Sequence, residues 1–289
     1  MLVTLNEVMV FAEERDIAIG SFNTPNQESV HAVIGAAEEL DLPVIIQFAQ
    51  CHEAWIPLDV IGPIMLDAAK RASVPVCVHL DHGETLDYLQ HALDLGFTSI
   101  MFDGSNCTYE DNRDKTRQAV AMAAKTGASV EAELGSMGKR ETGAGETEGE
   151  FDDTKIYTDP QWAGRFVQET GIDALACSFG TTHGIYLTEP KLDFDVVRSV
   201  RALTGGKVPI VMHGGSGVSK EDYAKAIEAG VRKVNYFTYM DKSGGAAVAE
   251  YLENVKTGAP VFFSTVMEKA RNAMQENAKS AMMMFAGIA

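Results

Sequence analysis

The chain is short of positive charge. Its 289 residues carry 24 Lys and Arg against 41 Asp and Glu, a formal net charge of −17 with a pI near 4.8. Such a surface repels polyanions, which excludes nucleic acid and anionic membranes as partners and leaves a small soluble substrate. Cysteine is also scarce. Cys51, Cys77, Cys107 and Cys177 have no C-x-x-C spacing, so no disulfide framework or zinc ribbon is expected. Cys77 and Cys177 fall in strand patterns and read as buried thiols of a reducing, cytoplasmic protein. No basic segment followed by an apolar core opens the chain, and no apolar run reaches about 18 residues, so neither a signal peptide nor a membrane span is expected. No G-x-G-x-x-G follows the first strand pattern, which argues against a dinucleotide-binding open sheet.

What is present is alternation. Short apolar strands are expected at Ile17–Asn23, Val44–Phe48, Val76–Asp81, Ser99–Phe102, Ser129–Leu134, Ala174–Ser178, Val208–His213 and Lys233–Phe237. Amphipathic helical patterns separate them, from Ser29–Leu40 to Lys220–Ala229, with Gly punctuation at Gly96, Gly127, Gly171 and Gly230. Eight such units imply right-handed βαβ crossovers, a parallel sheet and closure into a single α/β (β/α)8 TIM barrel. The hydrophobic content of 46% is ample for its core, and no linker divides the chain, so residues 1–289 read as one domain. Two segments break the rhythm. A Gly-, Thr- and Glu-rich stretch at about 135–158 reads as a solvated loop on the catalytic face, suited to act as a lid. A C-terminal helical extension at about 261–287 contains Met282, Met283, Met284 and Phe285, which suit core packing or an oligomer contact.

The chemistry concentrates at strand ends. Pro75-Val-Cys-Val-His-Leu-Asp81-His82-Gly83 is an apolar strand ending in a carboxylate and an imidazole. Ala174–Ser178 leads through a Gly/Thr loop to His183, and Val208–Met212 runs into His213. Barrel enzymes present their catalytic groups at this face. Three imidazoles delivered there by three distant strands make a metal the first hypothesis, with an open fourth position as in catalytic zinc sites. His31 and His91 lie in helix patterns and read as surface residues; His79, in mid-strand, reads as a core residue. Glu131 and Glu133 alternate along one strand and so share a face, which with Asp103 sets carboxylates near the same rim. His213-Gly214-Gly215-Ser216-Gly217 precedes a helix, and its backbone N–H groups and the Ser216 hydroxyl can cradle a phosphate, with Asn235 and Thr238 at the next strand end completing it.

At this point the chain resembles the class II, zinc-dependent ketose-bisphosphate aldolases, the fructose- and tagatose-bisphosphate aldolases among them. The resemblance rests on Ser21-Phe22-Asn23, HLDHGE (79–84), GFTSIMFDGS (96–105), VEAELGSMG (130–138), YTDP (157–160), TGIDALACSFGTTHG (170–184), PKLDFD (190–195), VPIVMHGGSG (208–217) and KVN (233–235), in that order. It implies Zn2+ held by His82, His183 and His213, with Asp103 and Glu133 at an alternative metal position. It implies Asp81 as the acid that protonates the aldehyde oxygen in condensation, and Glu141 as the base that takes a proton from dihydroxyacetone phosphate. Gly184, Gly214 and Ser216 match the phosphate site and its monovalent cation, Na+ or K+. Asn23 and Asn235 match contacts to substrate and enediolate, and a homodimer or homotetramer is expected.

The implied reaction is reversible cleavage of a phosphorylated ketose to dihydroxyacetone phosphate and an aldehyde. A metal supplies the Lewis acid that stabilises the enediolate, and no Schiff-base lysine need be invoked. A metal-dependent sugar-phosphate isomerase or epimerase would share that enediolate. A catalytically silent sugar-phosphate-binding protein is the reading from another class. The chain departs from the family pattern in four places. The catalytic loop reads Gly138-Lys139-Arg140-Glu141, and the second strand runs into Gln47-Phe48-Ala49-Gln50-Cys51-His52-Glu53. Asn235 is followed by Tyr236-Phe237, and no Lys or Arg follows Lys279, where an arginine for a second phosphate is expected. Gln47, Gln50, His52, Lys139 and Arg140 are therefore the specificity candidates, and the glutamines and His52 suit the hydroxyls of a non-phosphorylated aldehyde.

Overall fold

The computed structural model describes residues 1–135, 157–184 and 190–288. Its strands are β1 (Leu2–Val3), β2 (Ile19–Asn23), β3 (Val44–Ala49), β4 (Val76–Gly83), β5 (Ser99–Phe102), β6 (Ser129–Leu134), β7 (Ala174–Cys177), β8 (Ile210–Met212) and β9 (Val231–Tyr236). The helices are α1 (Leu5–Arg15), α2 (Gln27–Leu40), α3 (Leu58–Arg71), α4 (Leu86–Leu95), α5 (Tyr109–Ala123), α6 (Pro160–Thr170), α7 (Phe194–Leu203), α8 (Lys220–Ala229), α9 (Thr238–Glu253) and α10 (Phe263–Phe285). Strands β2 to β9 are parallel neighbours in order, and the β4–β5 pairing shuts the ring around β2 and β9. The barrel expected from the alternation is therefore formed, with α10 as its C-terminal extension.

Two elements were not expected. The two-residue strand β1 pairs with Val76 and Cys77 at the start of β4, ahead of the point where Ser99 of β5 joins at His79. Helix α1 follows it, with a capping box in which Thr4 and Glu7 exchange hydrogen bonds. Its buried Leu5, Val8, Met9 and Ala12 lie at helical spacing. They pack on Ile19, Ile45, Cys77, Ala174, Ala176 and Val211, the inward residues at the lower end of the strands. The helix is thus a plug under the lumen. Its period was readable, but a helix ahead of the first barrel strand has no place in a βα alternation. The outward residues of the strands meet α2 to α8 in a second, larger core. Met282 and Phe285 of α10 are buried in it, with the Phe285 ring edge-on to Tyr223 at 4.9 Å.

Alternation fixes what the lumen holds above the plug. On β3, Ile45 is followed inward by Gln47; on β4, Cys77 by His79 and Asp81; on β9, Lys233 by Asn235. The lower lumen is apolar and the upper lumen is polar, so the plug and the site occupy opposite ends of one channel of side chains. Leu5→Ala should destabilise the protein by about 2–5 kcal/mol, because Leu5 is fully buried in the floor of the barrel. The exposed Val10→Ala on the same helix should cost under about 0.5 kcal/mol, with urea unfolding of both variants as the measurement.

Candidate metal centre and active site

Strict alternation would send Asp81 inward and His82 outward. The β4–β5 register shifts between Leu80 and Gly83, and His82 takes a left-handed φ of 44°. A β-branched or bulky residue rarely adopts that backbone, and such strain gathers at functional sites. Here it turns two consecutive polar side chains toward one rim. Asp81 is then held by three amides. Asn23 Nδ2 and Gln47 Nε2 donate to Oδ2 at 3.0 and 3.1 Å, and Asn235 Nδ2 donates to Oδ1 at 3.2 Å. Burial alone would raise the Asp81 carboxyl, but His82, His213 and Lys233 outweigh it and hold the group well below the usual carboxylate range. It stands as a carboxylate, 3.9 Å from His82 Nε2.

The three histidines meet. Ring centroids lie 4.7 Å (His82–His213), 5.1 Å (His82–His183) and 5.8 Å (His183–His213) apart, with one ligand atom from each within 4.8 Å of the others. Their partners assign the tautomers, because a carboxylate can only accept. His82 Nδ1–H donates to Asp103 Oδ2 at 2.7 Å, so Nε2 is the nitrogen that faces the cluster. His213 Nε2–H donates to Glu131 Oε1 at 2.9 Å, so Nδ1 presents its own. That Nδ1 is buried with no hydrogen-bond partner, as is Glu133 Oε2 3.5 Å away. Two orphaned acceptors facing each other fit a shared cation. His82, Asp103 and Glu133 form a second group with ligand-atom spacing. Burial, then His82 and His213, bring His183 down to about 3; burial likewise lowers His213. Both are neutral donors, as a metal requires. His82 behaves oppositely. Burial would lower it, but Asp81, Asp103 and Glu133 push it up to about 10, which measures the negative charge converging on this point.

Below the histidines lies a layer that sequence reasoning missed. Lys233, fully buried, reaches Glu131 Oε2 at 2.8 Å and donates to Asn235 Oδ1 at 2.8 Å. His79 is a core residue as expected, with Nδ1 2.8 Å from the Ser99 hydroxyl. The signal for Lys233 was its spacing of two from Asn235 in a strand pattern, which puts both on one face.

The loops after β7 and β8 abut. Gly214, at φ 61°, lies so close to the Thr182 backbone that a Cβ would collide with it, and a Cβ on Gly215 would come within 2.8 Å of Asn235 O. Ser216 Oγ accepts from the Phe237 N–H at 3.0 Å, tying the β8 loop to the start of α9, where Thr238 is the first residue. Gly184, beyond His183 after β7, takes a φ of 94°. The specificity candidates divide. Gln47 is not a rim residue: it is fully buried, accepts from Ser21 Oγ at 2.5 Å and donates to Asn23 and Asp81. Gln50 Oε1 accepts the Glu84 N–H at 2.8 Å. His52 stacks on the exposed Trp55 at 4.7 Å and 12°, with Phe237 at 5.1 Å. Glu141, Lys139 and Arg140, and nearly all of the expected lid, lie outside the described residues.

The rim of this barrel thus gathers three histidines able to hold a metal and an amide-held aspartate. The family model for class II fructose-bisphosphate aldolase matches residues 3–288, and the chain belongs to that family; it is an aldolase, a carbon–carbon lyase. It is 36% identical over 260 residues to the fructose-bisphosphate aldolase of Staphylococcus epidermidis, covering 88% of this chain and 87% of that one. Among solved structures it resembles the YdjI aldolase of Escherichia coli K12 with a TM-score of 0.85 and 34% identity, covering 99% and 97% of the two chains. It also resembles a putative fructose-1,6-bisphosphate aldolase from Coccidioides immitis with a TM-score of 0.82 and 29% identity, covering 97% and 95%. No helix among the described residues is long and apolar enough to cross a membrane.

Gln47 gives a test of the amide network. Gln47→Ala should cost about 1–3 kcal/mol in urea unfolding, because it strands the buried Ser21 hydroxyl and Asn23 Oδ1. A rim residue in contact with solvent would show no such loss.

Proposed function

We propose that the protein is a zinc-dependent aldolase that reversibly cleaves a ketose 1-phosphate to dihydroxyacetone phosphate and a non-phosphorylated aldehyde. The observation that carries the reading is the convergence of His82 Nε2 and His213 Nδ1, each with its other ring nitrogen on a carboxylate, beside His183 and an ionised Asp81. His82, His183 and His213 would hold the zinc, which when bound supplies a Lewis acid to the ketose carbonyl and its neighbouring hydroxyl. In cleavage, Asp81 as a carboxylate takes the proton of the C4 hydroxyl while the C3–C4 bond breaks; in condensation it returns that proton. Asn23, Gln47 and Asn235 hold its oxygens in place for the transfer. Glu141 is the proposed base at C3 of dihydroxyacetone phosphate. The N–H groups of Gly214 to Gly217, with Ser216 and Thr238, bind the phosphate, and Gly184 with Gly214 is the proposed seat of a monovalent cation.

The test separates two proton transfers. A chelator should abolish activity and added Zn2+ should restore it. Asp81→Ala should stop carbon–carbon cleavage yet leave solvent exchange of the dihydroxyacetone phosphate C–H proton, which needs only the metal and the base. Loss of both steps with zinc retained would contradict this division.

The aldehyde half of the site supports the absence of a second phosphate. His52, Trp55 and Phe237 form an aromatic wall between the loops after β3 and β9. The electron-rich faces of such rings suit the C–H faces of a polyol and disfavour a dianion. Lys279 of α10 is committed to Glu39 at 2.5 Å. A charge-assisted phosphate contact is worth about 1.5–3 kcal/mol, roughly ten- to hundred-fold in affinity. The kcat/KM for a ketose 1-phosphate should therefore exceed that for its 1,6-bisphosphate. The reverse preference would show that Lys139 and Arg140 supply the missing charge.

A further inference from the structure

Lys233 has no part in the steps above, yet it is a fully buried cation directly beneath them. Its position excludes a covalent role. In the strand register it is level with Ile19 of β2 and Val211 of β8, residues of the apolar floor on α1. Its ammonium meets Glu131 Oε2 and Asn235 Oδ1, each at 2.8 Å. Both partners lead upward. Glu131 presents its other oxygen to His213 Nε2, and Asn235 presents its Nδ2 to Asp81 Oδ1.

The donor and acceptor inventory makes this directional. An ammonium only donates, so Asn235 must turn its carbonyl oxygen down and its NH2 up toward Asp81. A carboxylate only accepts, so Glu131, anchored by Lys233 through one oxygen, takes the His213 Nε2–H on the other and leaves Nδ1 for a metal. We propose that Lys233 is a positioning residue, whose ion pair to Glu131 and hydrogen bond to Asn235 set at once the tautomer and aim of the metal ligand His213 and the orientation of the amide that holds Asp81. The proposal rests on the aldolase reading of the site. Without Lys233, buried Glu131 Oε2 loses its cation and Asn235 Oδ1 its donor, and each side chain is free to rotate away from the group it orients.

The experiment uses the full chain and three readouts. Zn2+ affinity is measured by competition with a chelator of known strength, and the Co2+-substituted protein is compared by visible absorption. The ratio of aldol cleavage to dihydroxyacetone phosphate C–H exchange is measured at saturating Zn2+ within one preparation, so that any unfolded fraction cancels. Lys233→Met should weaken Zn2+ binding by about 10–100-fold, alter the Co2+ spectrum, and lower the cleavage-to-exchange ratio because Asp81 has lost its orienting amide. Unchanged Zn2+ affinity together with an unchanged ratio overturns the proposal. If Lys233→Met does not fold, Lys233→Met with Glu131→Leu removes both members of the pair, leaves no buried charge unpaired, and is judged by the same readouts. Borohydride reduction with dihydroxyacetone phosphate should leave Lys233 unmodified; a reduced adduct there would assign it a covalent role and overturn the proposal. Absence of Zn2+ binding and of exchange in the unaltered protein would instead sink the aldolase reading, and the proposal with it.

Discussion

Everything in this molecule depends on how a closed parallel barrel fills its lumen. Eight strands each send every second side chain inward, where it is buried. The lower end meets the constraint with Ile19, Ile45, Cys77, Ala174, Ala176 and Val211, sealed by the apolar face of α1. The upper end carries Gln47, His79, Asp81, Glu131, Glu133, His213, Lys233 and Asn235, all buried. Polar groups in a dry lumen are costly unless they satisfy one another. The result is a connected network in which donors and acceptors are matched from Ser21 through Gln47 and Asn23 to Asp81, and from there through Asn235 and Lys233 to Glu131 and His213.

Matching donors to acceptors is also what makes the site specific. A histidine alone can present either nitrogen. His82 and His213 have no such freedom, because each has one nitrogen committed to a carboxylate. An asparagine alone can flip. Asn235 is held between a group that only donates and one that only accepts, and so has one orientation. Part of the geometry of the rim is thus set a layer lower, by Lys233 and Glu131.

The strands, the barrel and the three histidines were legible because each is a local pattern: an apolar run, a Gly punctuation, a polar group at a strand end. What was not legible depends on closure. Lys233 looks like an ordinary charged residue in a strand until the ring shuts around it and places Glu131 across the lumen. Gln47, one residue before Phe48, reads as the start of a rim loop because β3 was expected to end at Phe48; the structure continues the strand to Ala49, and Gln47 becomes a buried support for Asp81. The bulge and left-handed backbone at His82 leave no trace in residue identity, yet they are what allow two adjacent residues to serve one rim. The α1 plug had a readable period and no partner in the sequence to explain it.

The two glutamates of β6 show how finely position divides roles. Glu131 and Glu133 share a strand face, and both are fully buried. Burial pushes each toward its neutral form. At Glu131 the neighbouring Lys233, with the hydrogen bond from His213, outweighs burial and holds the carboxyl well below the usual range. At Glu133, one step nearer the rim, His82 opposes burial, but Asp103, Glu131 and Asp81 add to it, and the group is pushed up to about 8. The difference is one built-in cation. Glu131 has its positive partner inside the fold and serves as a fixed acceptor for His213. Glu133 faces acceptors and imidazole lone pairs, the donor set that a divalent ion neutralises. Two residues along one strand thus separate a carboxylate paired inside the scaffold from one that faces a candidate metal site.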